Sequence, residues 1–118
     1  MSEYETKNMK ITGASISMAD HGVLTFYIDL EGDGCAVSFG SYVIGKDYLG
    51  AKEFSGCATG IECLMRIMDT IGVERWEDLK GKYVRMVDPG LGGVVTTIGN
   101  IIKDKWFNAK EFFESKSE

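Results

Sequence analysis

The stretch that most constrains this chain is residues 59–72, TGIECLMRIMDTIG, the one segment that reads as a long helix. Ile61, Leu64, Met65, Met68 and Ile71 recur at i, i+3, i+4, i+7 and i+10, a single apolar stripe of 3.6-residue period. Thr59 and Glu62 have capping-box spacing, in which each side chain satisfies an orphaned backbone N–H, and Gly72 supplies a left-handed stop. At 100° per residue the stripe predicts Arg66 on the outer face, with Glu62 and Thr70.

The remainder carries strand periods for that stripe to bury against. Met9 and Ile11 give way to Ala14, Ile16 and Met18 across Gly13, which predicts a strand with a bulge at the glycine that restores the buried face. Residues 23–31 alternate Leu24, Phe26, Ile28 and Leu30 with Thr25, Tyr27, Asp29 and Glu31, the pattern of a half-solvated antiparallel strand. Turns at 20–22 and 32–34 make a meander that continues over 35–44 through Val37 and Phe39. Residues 46–56, with Gly45 just before them and Gly50 and Gly56 within, read as a loop held down by Tyr48, Leu49 and Phe54. Val73, Trp76 and Leu79 recur every third residue, as in a short helical turn. A strand at 83–87, a turn at 88–90 and a returning arm at 92–98 follow. Gly99-Asn100 interrupts, 101–107 is a further strand, and Asn108 with Glu111 caps a last short helix holding Phe112 and Phe113. Residues 1–8 and 114–118 read as loose. The expectation is an α+β fold: an antiparallel meander with one central helix packed on it and a short C-terminal helix. With 118 residues, 44% of them apolar, it forms one domain, residues 1–118, with a core that needs neither disulfide nor metal.

Composition narrows the function. Net charge is −5 and the thirteen Lys and Arg are scattered, so the electrostatic footprint of a duplex nucleic-acid binder is missing. Three cysteines, Cys35, Cys57 and Cys63, without CxxC spacing suit a reducing compartment better than a disulfide framework. No apolar run approaches a membrane span, and the opening MSEYETKNMK has no apolar leader core, so the expectation is a soluble intracellular protein.

Few residues suggest chemistry. His21, the only histidine, stands in a turn beside Asp20 and is the sole general-base candidate; the other reading is a polar turn residue. No cofactor box and no metal-ligand spacing are present, so no cofactor or metal is expected. Gly90-Leu91-Gly92-Gly93 is either a tight hairpin tip or a run of bare N–H groups that an anion can approach. Arg66, one of three arginines with Arg75 and Arg85, is either the outer half of a pair with Glu62 or a guanidinium fork for phosphate. Asn100 is either a turn residue or a reader of a base edge or ribose hydroxyl.

Three segments together, SISMADHGVLTFYIDLEGDGCAVSFGSYVIG, GIECLMRIMDTIGVERWEDLKGKYVR and IGNIIKDKWFNAKEFF, resemble the first type of Thoeris anti-defence protein over about Ser15 to Phe113, with MRIMDTIGVERWEDLKGKYV the most specific run. These are small phage proteins that act as sponges for immune signalling nucleotides. The resemblance implies a binding protein and no enzyme: it holds glycocyclic ADP-ribose, the signal of TIR-domain proteins, intact in the cytoplasm of the infected bacterium. It implies homodimers with pockets between protomers, further assembly into hexamers, and binding of cyclic di- or trinucleotides at separate sites in some members. Matched by motif, the ligand-binding residues are Arg66, Leu91, Gly92, Gly93 and Asn100, with Lys110 as a further cation. The family pattern places an aromatic in the glycine turn; Leu91 stands there instead, forgoing base stacking of ~1–3 kcal/mol. Two alternatives remain open: a phosphodiesterase-like enzyme acting through His21 and Asp20, and an accessory module that inhibits a host protein through its sheet or through Tyr42 and Tyr48.

Overall fold

The strict alternation over residues 23–31 produces the strand around which the sheet is ordered. The computed structural model describes residues 5–20, 22–32, 34–47, 50–90 and 93–116, apart from the side chains of residues 19 and 20. In it β2 (Val23–Gly32) buries Phe26, Ile28 and Leu30 and exposes Tyr27, Asp29 and Glu31. β2 pairs with β1 (Thr6–Asp20) on one side and β3 (Cys35–Asp47) on the other. β4 (Phe54–Gly56), β5 (Tyr83–Val87), β6 (Thr97–Asn100) and β7 (Trp106–Asn108) complete a seven-stranded sheet in the order β4-β3-β2-β1-β5-β6-β7, antiparallel throughout. With α1 (Ala58–Ile71) and α2 (Ala109–Lys116), this is the α+β fold expected.

The long first strand departs from expectation at both ends. Thr6, Lys7 and Asn8 are ladder partners of Val87, Met86 and Arg85, so most of the expected lead-in is strand; β5 presents an unpaired edge, and backbone pairing makes no demand on polar side chains. The register does jump between Ile11 and Gly13, where the bulge was expected. Ile16 and Met18 are each 42% exposed rather than buried, because the distal half of the hairpin overhangs the core.

In the second half, tertiary contacts redraw the strand boundaries. Residues 93–96 join no ladder, and Gly99 and Asn100 belong to β6 instead of interrupting it. A Cβ on Gly99 would lie within 2.6 Å of Trp106 ring atoms, so the glycine lets the indole lie flat on the strand. Arg85 stacks on the same indole, its guanidinium carbon 4.4 Å from a ring centroid, and donates to the carbonyls of Asn100 and Lys103 at 2.7 Å each. That clamp bends residues 101–104, leaving only Trp106–Asn108 as β7 where a strand over 101–107 was expected. The expected loop 46–56 also closes with a short strand, β4, while Phe54 is 69% exposed and so does not pin it; Tyr48 and Leu49 lie outside the described residues.

Helix α1 forms where expected, but its cap and its buried face differ. It starts at Ala58, so Thr59 is already inside the first turn; the N-cap is Cys57, whose Sγ accepts from the Gly60 N–H at 3.3 Å. Gly72 ends it at φ 93°, as expected. The inward residues are Gly60, Cys63, Ile67 and Thr70, flanked by Leu64 and Ile71, while Ile61 and Met65 are 50% and 64% exposed. The buried face is therefore turned by roughly 100° from the apolar stripe, one residue's rotation. The cause is close packing: a Cβ on Gly60 would sit 2.6 to 2.8 Å from Ile44, so the helix backbone lies directly on β3 there. α1 also touches β6 and β7, separated from β3 by three or four strands. Strands at a spacing of ~4.8 Å meet both sides of a helix ~10 Å wide only if the sheet curls around it. The space between holds Met9, Ile11, Phe26, Ile28, Phe39, Val84, Met86 and Ile98, and Leu79 of the 3-10 helix Trp76–Leu79 closes it.

α2 begins as expected, with Asn108 Oδ1 accepting from the Glu111 N–H at 2.9 Å, and runs on to Lys116, through part of the expected loose tail. Tyr42, expected on the surface, is half-buried and stacked on Phe113, ring centroids 4.8 Å apart.

Candidate functional site

The glycine turn after β5 is built from the inside. Asp88 Oδ1 accepts from the Gly90 N–H at 2.9 Å, Gly90 takes φ 86°, and the Gly93 N–H donates to Gly90 O at 3.0 Å. Gly93 has no room for a side chain, since a Cβ would meet Pro89 O at 2.6 Å. Two of the turn's N–H groups are thus spent internally and are not bare; Leu91 and Gly92 lie outside the described residues. The Gly90 N–H, and then Lys7, which reaches Asp88 at 3.2 Å, hold that carboxyl below its ordinary range.

Between this turn and the start of α2 lies an open cleft of about 590 Å³, with Gly93, Val94, Thr96 and Thr97 on one side and Asn108, Lys110, Glu111 and Glu114 on the other. The structure therefore brings Gly93 and Lys110 together. Lys110 forms no ion pair among the described residues and is the one cation lining the cleft, against the carboxylates of Asp88, Glu111 and Glu114. An anion there meets one positive group, while the Asp88 carboxylate on the same rim is paired with Lys7.

Arg66 does not line the cleft. Its Nε and one terminal nitrogen both lie 2.8 Å from Glu62 Oε2, its guanidinium carbon is 5.5 Å from the Phe112 ring centroid, and its side chain is 56% exposed. Lys116 joins the same Glu62 at 3.3 Å, so one carboxylate holds two cations over the Phe112 ring on the seam between α1 and α2. The hydrogen bond from Arg66, then Lys116, keeps Glu62 ionised to lower pH than usual. Thr70, expected beside Arg66 on the outer face, is buried and donates to Arg66 O at 2.7 Å.

Asn100 stands at neither place. Its Nδ2 donates to Thr70 O at 3.0 Å and Ile71 O at 3.4 Å, and its Oδ1 accepts from the N–H groups of Ile102 and Lys103 at 2.9 Å each. Both lobes of the amide are committed, so Asn100 is the tie between the end of α1 and the 101–104 bend, not a free reader of a base. Beside it is a second cleft of about 450 Å³, where Lys82, Tyr83 and Lys103 face Gly72 and Gly81. The strand parity of 83–87, which puts Tyr83 and Arg85 on the face opposite Val84 and Met86, was the available signal for that side.

The other expectations about chemistry fall as follows. His21 lies outside the described residues, as does the side chain of Asp20. The cysteines are unbonded, and burial pushes the Cys63 thiol up to about 12, leaving it neutral and unreactive at physiological pH. Among the described residues, no three His, Cys, Asp or Glu side chains gather as a metal site requires, and no helix is long and apolar enough to cross a membrane.

The class that fold and clefts define is a small α+β protein with open surface clefts of mixed polar and apolar lining. Beyond that class, no family model, no curated protein and no solved structure matches this chain.

Proposed function

We propose that this protein binds a small phosphorylated nucleotide, in the manner of the Thoeris anti-defence sponges it resembles, and holds it without chemical change. The observation that carries the reading is the 590 Å³ cleft that sets Lys110 opposite Gly93 at the glycine turn. Its volume falls within the range of small-molecule sites, ~300–1,000 Å³. One lysine does not match the two charges of a diphosphate, and Arg66, the second cation the resemblance supplies, points outward from a different face. A site combining them draws Arg66 from another copy of the chain, which accords with the homodimer, and the hexamer built from it, that the resemblance implies. The reading makes no use of Asn100 as a ligand contact, and the ligand's home is the cytoplasm of an infected bacterium.

Isothermal titration with glycocyclic ADP-ribose tests this. The wild type is expected to bind, heated complexes to release the ligand intact, and Lys110→Ala and Arg66→Ala each to weaken binding by roughly 10- to 150-fold, the worth of a hydrogen bond to a charged group of ~1.5–3 kcal/mol. Mixed Arg66→Ala and Lys110→Ala protomers should regain a share of the sites if the two residues come from different copies. No heat of binding, or release of a cleaved product, overturns the proposal; the same titration with cyclic di- and trinucleotides defines the ligand range.

A further inference from the structure

The second cleft, of about 450 Å³, opens beside the end of α1, where residues 81–83 lead into β5 and meet the bend at 101–104. Two cations, Lys82 and Lys103, line it and no carboxylate does, whereas the cleft at the glycine turn sets one lysine among three carboxylates. In a chain of net charge −5 that is a local reversal of sign. Among the described residues neither Lys82 nor Lys103 takes part in an ion pair. Lys10 adds a third cation, its Nζ 6.0 Å from the Tyr83 ring centroid, with Glu31 across the ladder from it and outside the cleft. The acids of the neighbouring segments are engaged: Asp104 accepts from Trp106 Nε1 at 2.8 Å, and Asp69 pairs with Lys105 at 3.4 Å. The negative end of α1 does not offset the lysines either. Its carbonyls at Asp69, Thr70 and Ile71 accept from Lys105 Nζ and Asn100 Nδ2, and Met68 O takes the N–H groups of Gly72 and Val73.

Backbone bonds fix both lysines. Lys82 donates its N–H to Leu79 O at 3.0 Å and accepts from the Ile11 N–H at 2.8 Å, while the Lys103 N–H is held by Asn100 Oδ1 at 2.9 Å and its carbonyl by Arg85 at 2.7 Å. The same bonds spend the donors that a phosphate would use. The N–H groups of Gly72, Gly81, Lys82, Ile102 and Lys103 all donate within the chain, and Arg85 gives its guanidinium to the carbonyls of Asn100 and Lys103. A phosphate, best held by converging N–H groups or a guanidinium fork, meets lysine side chains alone. Carboxylates carried one at a time along a chain ask only for a point charge each, which is what a lysine offers. The rim is apolar, with Ile102 86% and Tyr83 56% exposed, and Ile71 and Ile101 line the interior. We propose that this cleft docks a short acidic segment of another protein, whose Asp or Glu side chains meet Lys82 and Lys103 and whose apolar residue lies over Ile102 and the Tyr83 ring. The charges supply complementarity and steering, and the two exposed apolar side chains supply the area that desolvates on docking. The inference is independent of the ligand reading, since it rests on none of Arg66, Lys110 or the glycine turn.

Titration of the isotope-labelled full chain with a synthetic peptide of alternating Glu and Leu, followed through backbone amide resonances, tests it. Shifts are expected at Lys82, Tyr83, Ile102 and Lys103 and not at Gly93 or Lys110, with affinity falling as salt is added. The double variant Lys82→Gln, Lys103→Gln should bind about 10-fold more weakly at an unchanged melting temperature, since neither side chain is paired within the protomer. Ile102→Ser should weaken binding and leave its salt dependence as it was. An absence of shifts at millimolar peptide overturns the proposal, as does equal binding of a peptide with Gln in place of every Glu. So does displacement of the acidic peptide by inorganic phosphate or a single-stranded oligothymidylate at lower concentration than the peptide itself requires, which would make the cleft a phosphate site.

Discussion

Asn100→Ala is the substitution that most sharply separates a structural role from a ligand role. The amide makes four contacts, of which three, at 3.0, 2.9 and 2.9 Å, are well formed and the fourth, at 3.4 Å, is long. At a net ~1 kcal/mol for each good bond the total is about 3 kcal/mol. Water can reach the N–H groups of Ile102 and Lys103, so a loss of ~2–3 kcal/mol is expected. For a chain of this size each kcal/mol moves the melting temperature by ~3–6 °C, so Tm should fall by roughly 6–18 °C. Asn100→Asp should do no better: it keeps the acceptor for Ile102 and Lys103 but turns a carboxylate toward two carbonyls at the negative end of α1. Urea titration followed by the fluorescence of Trp76 and Trp106 gives the free energy. A change below ~0.5 kcal/mol would refute the assignment of Asn100 as the tie, and loss of nucleotide binding at unchanged stability would return it to the ligand site.

Other measurements probe the packing. Gly60→Ala, which normally stabilises a helix by up to ~1 kcal/mol, should here destabilise by ~1–2 kcal/mol net, because the new Cβ meets Ile44 backbone at 2.7 Å and overpacking costs ~1–3 kcal/mol. Urea midpoints at constant slope check the sign. A thiol reagent at pH 8 should find Cys35 and Cys57 quickly and Cys63 only on unfolding, since burial keeps that thiol neutral and covered. Asp88, whose folded value lies below its ordinary 3.8, adds stability that is full above that value and lost as pH falls through the folded value. Asp88→Asn should therefore flatten the acid limb of a stability-against-pH curve and leave the neutral region's slope unchanged.

What the chain by itself determined is the set of local periods and stops. The alternation of Leu24, Phe26, Ile28 and Leu30, the irregularity at Gly13, the stop at Gly72, the three-residue period of Val73, Trp76 and Leu79 and the Asn108 cap are all imposed by neighbours within a few positions, and the structure holds each of them. Tertiary structure decided which face of a helix is inside and where a short strand begins. Ile61, Met65 and Ile16 lost their expected burial because burial depends on what lies opposite, and the curled sheet met α1 at Gly60, Cys63 and Ile67 instead. The site divided for the same reason. Lys110 and Gly93 share a cleft because α2 folds back beside the glycine turn, while Arg66 and Asn100 are held by Glu62 and by the end of α1, partners four and about thirty residues away. A side chain's type sets what bonds it can make; only the assembled fold sets which of those bonds it has already made.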